Sequence, residues 1–366
     1  MKRILRITTL LSLVGAVSLG QAQEALPAPE PEPTPLAPDT GSAQNNAADD
    51  EITPALDASI ARAIAYLSDQ QQSDGSWTGG RFGKNVAITS LACLALMGDG
   101  NTPGRGEHKD VIRRGLEFVL ANAAENGLIA AEAANGPMYG HGFATLFLGE
   151  AYGMTPGGGD TSLSARVHES LVKAVRLIER TQNDQGGWRY NPVPYDADVS
   201  VTICQVMALR SARNAGIEVK KEVIDNAVDY IRRCQNGDGG FKYQLETGSS
   251  AWPRSAAGVA SLFYAGIYED QAIDNGLGYL HRVAKPGTPK SSRAHFFYGH
   301  YYAVQAMYLA GGEDWSAWWP AIRDELISGQ VNDGSWEDRT VGPAYATAMS
   351  LIILQMPKRY LPIFQK

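Results

Sequence analysis

The segment Gln182-Asn183-Asp184-Gln185-Gly186-Gly187-Trp188 decides the fold, because variants of it recur along the chain. Gln72-Ser73-Asp74-Gly75-Ser76-Trp77 is one copy, Gln235-Asn236-Gly237-Asp238-Gly239-Gly240-Phe241 another, and Gln330-Val331-Asn332-Asp333-Gly334-Ser335-Trp336 the last. Each copy follows an amphipathic helical pattern and precedes a strongly apolar one. A unit returning roughly every 50 residues signals a repeat architecture, in which one helix pair must stack on the next to bury its apolar face. The glycines permit positive φ and close backbone approach. Gln and Trp supply a polar anchor and a large apolar plug.

Working outward, the spacing predicts six helix pairs. The first helix of each pair is wet on one face: in the fourth unit Val223, Ile224, Ala227, Val228 and Ile231 oppose Lys221, Glu222, Asp225, Asp229, Arg232 and Arg233. The second is apolar nearly all round, as in the run from Val86 to Met97, and a helix without a wet face is buried on every side. The second helices are expected near 86–97, 142–153, 199–212, 256–267, 301–310 and 344–356, forming an inner layer. Two turns depart from the motif, Asn126-Gly127-Leu128 and Lys285-Pro286-Gly287, and local differences in packing are expected there.

These copies resemble the QW motif of the squalene cyclase and protein prenyltransferase superfamily, over about residues 55 to 356. The chain looks most like the stand-alone prenyltransferase/squalene oxidase repeat proteins. The resemblance implies an all-α fold, an α/α toroid of six helix hairpins with parallel inner helices. It does not assign a reaction, since function lives in sites and not in folds.

Bulk properties narrow the field. The 366 residues are 44% hydrophobic and 19% charged, ordinary for a globular protein, which makes one repeat-built domain at residues 53–366 a reasonable reading. A net charge of -7 argues against nucleic acid as a partner, because phosphate binding needs a basic patch. Residues 1–22 read as a signal peptide: Lys2, Arg3 and Arg6 precede the apolar stretch Ile7 to Leu19, and Gly20-Gln21-Ala22 offers a cleavage site, retention as an anchor being the alternative. The chain is thus expected to be exported, periplasmic or secreted, with no transmembrane segment in its mature part. Residues 23–52, with alternating prolines and then Asn and Asp, read as a solvated linker. Cys93, Cys204 and Cys234 are too few and too apolar in setting for a disulfide framework.

Aligning the inner helices on Ala144-Thr145, Val201-Thr202 and Ala346-Thr347 places Asn85, His141, Asp198, Ser255, His300 and Pro343 together at one mouth of the ring. Asn85 and Ser255 read as N-caps, and for Asp198 capping stands as the alternative to a chemical role. His141 and His300 cap poorly and recur in the strings Tyr139-Gly140-His141 and Tyr298-Gly299-His300, which makes them site candidates, satisfied structural histidines being the alternative. Tyr139, Phe143, Tyr298, Tyr302 and Tyr345 are the expected aromatic lining, and Arg254 near the mouth is a candidate to meet an anionic group, a solvated surface arginine being the alternative. Asp196-Ala197-Asp198 resembles the D-x-D-D motif of class II terpene cyclases, in which the middle Asp protonates an alkene. Asp198 falls on that position, while Val199 stands for the last Asp and Ser200 for the usual Thr. Such chemistry needs a strong acid in a dry site, and His141 or His300 is the expected orienting partner. The prenyltransferase zinc set has no counterpart, since Arg254-Ser255-Ala256-Ala257 stands where an Asp-x-Cys pair belongs, so neither a metal nor a cofactor is expected. Glu150, mid-helix among apolar residues, needs a partner if buried, and Arg210 is the candidate, a rim position near the far end of the barrel being the alternative. The tail Pro357 to Phe364 reads as a strap on the toroid, a partner-docking tail being the alternative.

Two classes of function follow. The protein binds a hydrophobic, isoprenoid-like small molecule in the barrel mouth, with acid catalysis through Asp198; or it is a non-catalytic scaffold that binds a cell-envelope protein or component. A deep apolar cavity favours the first, and a barrel filled by its own side chains favours the second.

Overall fold

Apolar periodicity translates directly into two layers of helix. In the computed structural model, which describes residues 51–131, 136–154, 161–246, 248–287 and 294–365, twelve α-helices alternate between an outer and an inner position. The outer helices are α1 (Pro54–Asp69), α3 (Lys109–Ala121), α5 (Thr161–Thr181), α7 (Lys221–Arg233), α9 (Gln271–Val283) and α11 (Gly312–Gly329). The inner ones are α2 (Val86–Met97), α4 (Met138–Gly153), α6 (Val199–Asn214), α8 (Trp252–Tyr264), α10 (Phe296–Ala310) and α12 (Pro343–Leu354). The described residues contain isolated bridges but no strand, and no helix among them is long and apolar enough to cross a membrane. All belong to the unit Gln44–Lys366. The expected signal peptide and nearly all of the expected linker lie outside the described residues.

Each inner helix packs on the next, α2 on α4, α4 on α6, and so on to α12, which packs back on α2. Helix α1 seats against α12, so the first outer helix covers the last inner one and the ring closes. The layers differ in burial as the patterning predicts. Helix α7 buries Val223, Ala227, Val228, Tyr230 and Ile231 along one stripe, whereas α2 buries every residue except Ala87. This is the α/α toroid expected from the sequence.

The motif turn holds the layers in register. Its Gln donates both to a carbonyl of its own turn and to one in the next outer helix: Gln182 Nε2 to Gly186 and Val223, Gln235 Nε2 to Gly239 and Ala272, Gln330 Nε2 to Gly334 and Ser59. In the first repeat Gln71 does this, bonding Gly75 and Val111, so that copy begins at Gln71 and not at Gln72. The motif glycine sits at positive φ against the next outer helix; a Cβ on Gly186 (φ +99°) would lie 2.2 Å from the Asn226 carbonyl. The Trp indole plugs the gap between layers, with Trp188 Nε1 donating to Ile178 O at 2.8 Å.

The second turn is less degraded than its sequence implies. Gly127 keeps φ +87° and the same approach to an outer helix, at the Lys173 carbonyl, and buried Ile129 takes the place of the Trp. In the fifth turn a Cβ added to Gly287 would meet nothing within 4 Å, so that repeat does depart from the others.

Candidate functional site

A further bond fixes where each inner helix starts. The backbone N–H of the motif's aromatic residue donates into the inner helix: Trp77 to Thr89 Oγ1, Trp188 to Thr202 Oγ1, Phe241 to Ser255 Oγ and Trp336 to Thr347 Oγ1, at 2.8–3.1 Å. In the second repeat the acceptor is His141 Nδ1, bonded by Ile129 N at 3.2 Å. His141 is therefore the counterpart of Thr202 and not of Asp198. The small-residue alignment assumes equal loops, whereas the chain from aromatic to acceptor is 12 residues in the second repeat and 14 in the third.

Helices α4, α8 and α10 consequently begin before the expected positions, and His141, Ser255 and His300 lie inside them as the fourth, fourth and fifth residues. Both histidines are fully buried, and burial lowers their basicity, His141 to about 4 and His300 to about 3, so both are neutral at pH 7. His300 sits among Trp252, Phe296 and Trp318 with neither ring nitrogen hydrogen-bonded. Neither imidazole bonds Asp198, so the expected orienting role goes elsewhere.

Asp198 is the N-cap of α6, with extended φ and ψ and Oδ1 accepting from Val201 N at 2.9 Å. Oδ2 accepts from Tyr243 Oη at 3.1 Å, and Arg189 Nε stands 3.6 Å away. Tyr243 Oη also meets Tyr190 Oη. The Arg189 guanidinium lies between those two rings, 5.2 Å from the Tyr190 centroid and 5.8 Å from that of Tyr243, and pairs with half-buried Asp196. Burial raises the Asp198 carboxyl to about 6 against the opposing pull of Val201 N–H, the Tyr243 hydroxyl and Arg189. The site is thus a closed carboxyl whose two oxygens are both occupied, bridged to the surface by two phenols and an Arg–Asp pair.

The other expected residues gather near it with differing roles. Tyr139 packs its ring 6.1 Å from Tyr190, and Tyr298 Oη donates to Ser200 O at 3.2 Å. Tyr345 is half-buried on α12. Arg254 spends its donors on the Phe241 and Ser249 carbonyls and lies 6.0 Å from the Tyr243 ring, so it braces the loop that carries Tyr243. Below the rim, Tyr302 Oη meets Cys204 Sγ at 3.3 Å, and Phe143 packs edge-on against Tyr301. Tyr301 and Tyr302 have no accessible surface and Phe143 only 5%.

Three residues of this site, Arg189, Tyr190 and Tyr243, do not emerge from the sequence reading. A signal exists: Tyr190 follows Trp188 by two residues just as Tyr243 follows Phe241, so both occupy one place in successive repeats. Among the described residues no three His, Cys, Asp or Glu side chains converge to hold a metal ion.

No protein-family model matches the chain, and no curated protein matches it in sequence. Solved structures do match. The type II terpene cyclase MstE from Scytonema superposes with a TM-score of 0.58 at 14% identity, over 84% of this chain and 100% of that one. A variant of it holding the substrate geranylgeranyl dihydroxybenzoate gives 0.59 at 14% identity, over 84% and 98%. An alpha-1,6-mannanase from Salegentibacter sp. gives 0.59 at 8% identity, over 83% and 99%. At such identities the likeness is one of fold: this chain is built on the α/α toroid that terpene cyclases and mannanases share.

Proposed function

We propose that the protein is a stand-alone toroid of the squalene cyclase and protein prenyltransferase repeat type that acts outside the cytoplasm as a non-catalytic binding module, its site being the tyrosine-lined mouth around Asp198. Export rests on the n-region, apolar stretch and Gly20-Gln21-Ala22 of the first 22 residues. The close packing of Tyr301 and Tyr302 is the observation that carries the binding reading. A side chain with no accessible surface adjoins no void that admits water, and Tyr301 and Tyr302 both meet that description just below the mouth. A cyclase must enclose a whole polyisoprenoid beside its acid, which calls for a pocket of roughly 300–1,000 Å³. The rim offers instead the half-buried rings of Tyr139, Tyr190, Tyr243, Tyr298 and Tyr345, next to the Arg189–Asp196 pair. Such a surface suits an amphiphilic cell-envelope component, its apolar part on the phenol rings and its polar part on the charged pair.

A second reading, acid catalysis by Asp198 on an isoprenoid, is favoured by one specific observation: the carboxyl is raised to about 6 and hydrogen-bonded by Tyr243, as a proton donor in a dry site would be. One experiment separates the two. The exported protein is purified and its co-purifying molecules identified by mass spectrometry, and in parallel it is incubated with geranylgeranyl-type substrates. Retention of an envelope component by the wild type and its loss in Tyr243→Ala supports the binding module. A cyclised product that disappears in Asp198→Asn would overturn it.

A further inference from the structure

The end of the ring opposite the mouth is closed by the chain itself. After α12, Met356–Lys358 packs on α10 and α12, and Pro362–Phe364 then packs on α6. In the ring order, α6 lies opposite α12, so the tail runs across the barrel's far end from one side to the other. Leu361, Ile363 and Phe364 are 2–5% exposed, while Tyr360 points outward at 51%. Lys358 anchors the start of the crossing to Asp99 at 2.7 Å, and Arg359 lies over the Tyr308 ring.

The crossing ends on a buried carboxylate that no candidate chemistry at the mouth uses. Glu150, near the C-terminal end of α4, is 1% exposed. Its Oε1 accepts from Ser211 Oγ at 2.7 Å, and its Oε2 accepts from the backbone N–H of Ile363 at 3.1 Å. Arg210, the partner expected from sequence, does not bond it: the residue next to Arg210 on α6 supplies a hydroxyl, and the tail supplies an amide. Both donors are neutral. A carboxylate out of water with no cation against it is costly when ionised and much less so when protonated.

We propose that the C-terminal tail is a pH-dependent stopper for the far end of the barrel, latched through the Glu150 carboxyl. Docked, the tail seals Glu150 from water; lifted, it returns the carboxyl to solvent. Burial holds the docked carboxyl at about 7 against an ordinary value of 4.5, and outweighs the opposing hydrogen bonds from Ser211 and Ile363. The docked state therefore binds a proton that the lifted state releases. Docking is strongest below about 4.5, weakens as pH rises toward 7, and changes no further above that. The two tyrosines facing Glu150 do not titrate in that window. Tyr264 of α8 and Tyr301 of α10 are pushed up by burial, and the Arg210 guanidinium of α6 lies near Tyr264. His168 of α5 packs its ring, tilted, against Tyr152 in the last turn of α4, with centroids 5.4 Å apart.

Hydrogen exchange of the whole exported chain tests this, with rates expressed as protection factors to remove base catalysis. The Ile363 and Phe364 amides should lose protection on the order of a hundredfold between pH 5 and pH 8, while amides of α7 keep theirs. Glu150→Gln retains an acceptor for Ile363 N–H without a titrating proton, and its tail should be equally protected at both pH values. Protection in the wild type that does not change with pH, a change shared by the α7 amides, or an unaltered pH response in Glu150→Gln each overturns the proposal. Should that variant not fold, Ser211→Ala serves: it removes a donor that favours the ionised form, so the midpoint must move upward, and an unmoved midpoint refutes the latch.

Discussion

Replacing Asp198 by Asn isolates the electrostatic cost of the candidate site. Asn keeps an oxygen to cap Val201 N–H, so the helix start survives, and only the ionisable oxygen facing Tyr243 and Arg189 is lost. Two effects compete at that oxygen. Desolvation opposes charge, Arg189 at 3.6 Å favours it, and desolvation dominates because the carboxyl has no accessible surface. An acid raised from 3.8 to about 6 binds its proton in the folded state more tightly than in the unfolded one. Its contribution to stability is therefore complete below 3.8, falls as pH rises to about 6, and is flat above. Integrated from pH 4 to pH 7.5 this is about 2–3 kcal/mol. The assay is chemical unfolding of wild type and Asp198→Asn across that range. The wild type's stability relative to the variant should drop by that amount and level off near neutrality. A difference that rises with pH would mean that the Arg189 pair wins over burial, and would refute the account of the site as a desolvated acid.

Three more outcomes follow from the same geometry. Gly186→Ala puts a Cβ 2.2 Å from the Asn226 carbonyl at φ +99°, and should cost about 3–5 kcal/mol in chemical unfolding. Gly216→Ala, at φ +86° with nothing within 4 Å, should cost only the backbone part of about 1–2 kcal/mol; equal costs would show that the motif glycine is not set by the outer helix. His141→Ala leaves Ile129 N–H without its acceptor and should destabilise by about 2–4 kcal/mol at pH 7. Because burial lowers His141 to about 4 from 6.5, the wild type should also lose stability relative to this variant as pH falls through that window, and a pH-independent difference would contradict the buried neutral imidazole. Cys93, Cys204 and Cys234 are buried with thiols pushed up by desolvation, Cys204 to about 12 and Cys234 to about 11, so a thiol reagent at pH 8 should label none in the native protein and all three after unfolding.

The toroid is legible because its determinants are local. A Gly two residues before an aromatic, an amphipathic helix ahead and an apolar one behind are all read within one repeat. Register is harder. The first copy looks as if it starts at Gln72, yet Gln71 makes the bridging bonds, because what counts is the six-residue distance to Trp77 and not the likeness of the flanking residues. The second turn looks lost because its Trp is gone, but the backbone needs only a positive φ at Gly127, and Ile129 fills the plug. The two histidines fall one turn out of place in the sequence alignment for a related reason: loop length between turn and helix varies, and the small residues used for alignment do not report it.

The site is less legible because it belongs to no single repeat. Asp198 and Tyr190 come from the third, Tyr243 from the fourth, and the bonds joining them span 45 and 53 residues. Each ingredient has a dull counterpart elsewhere. The position two after the motif aromatic is Gly79 in the first repeat, Ala131 in the second and Asp338 in the sixth, and the residue capping the inner helix is Asn85, Pro137 or Gly342. Only the neighbouring third and fourth repeats place a Tyr at the first position twice over, with an Asp at the cap between them. Their turns are adjacent in the closed ring, so the two phenols meet, and the carboxyl they cover is shut off from water. A repeat fold makes its scaffold from what the copies share; its chemistry lies where two neighbouring copies differ from the rest in a complementary way. In this chain that place is the Tyr190–Tyr243–Asp198 contact, and a functional residue should be sought first among the groups that touch it.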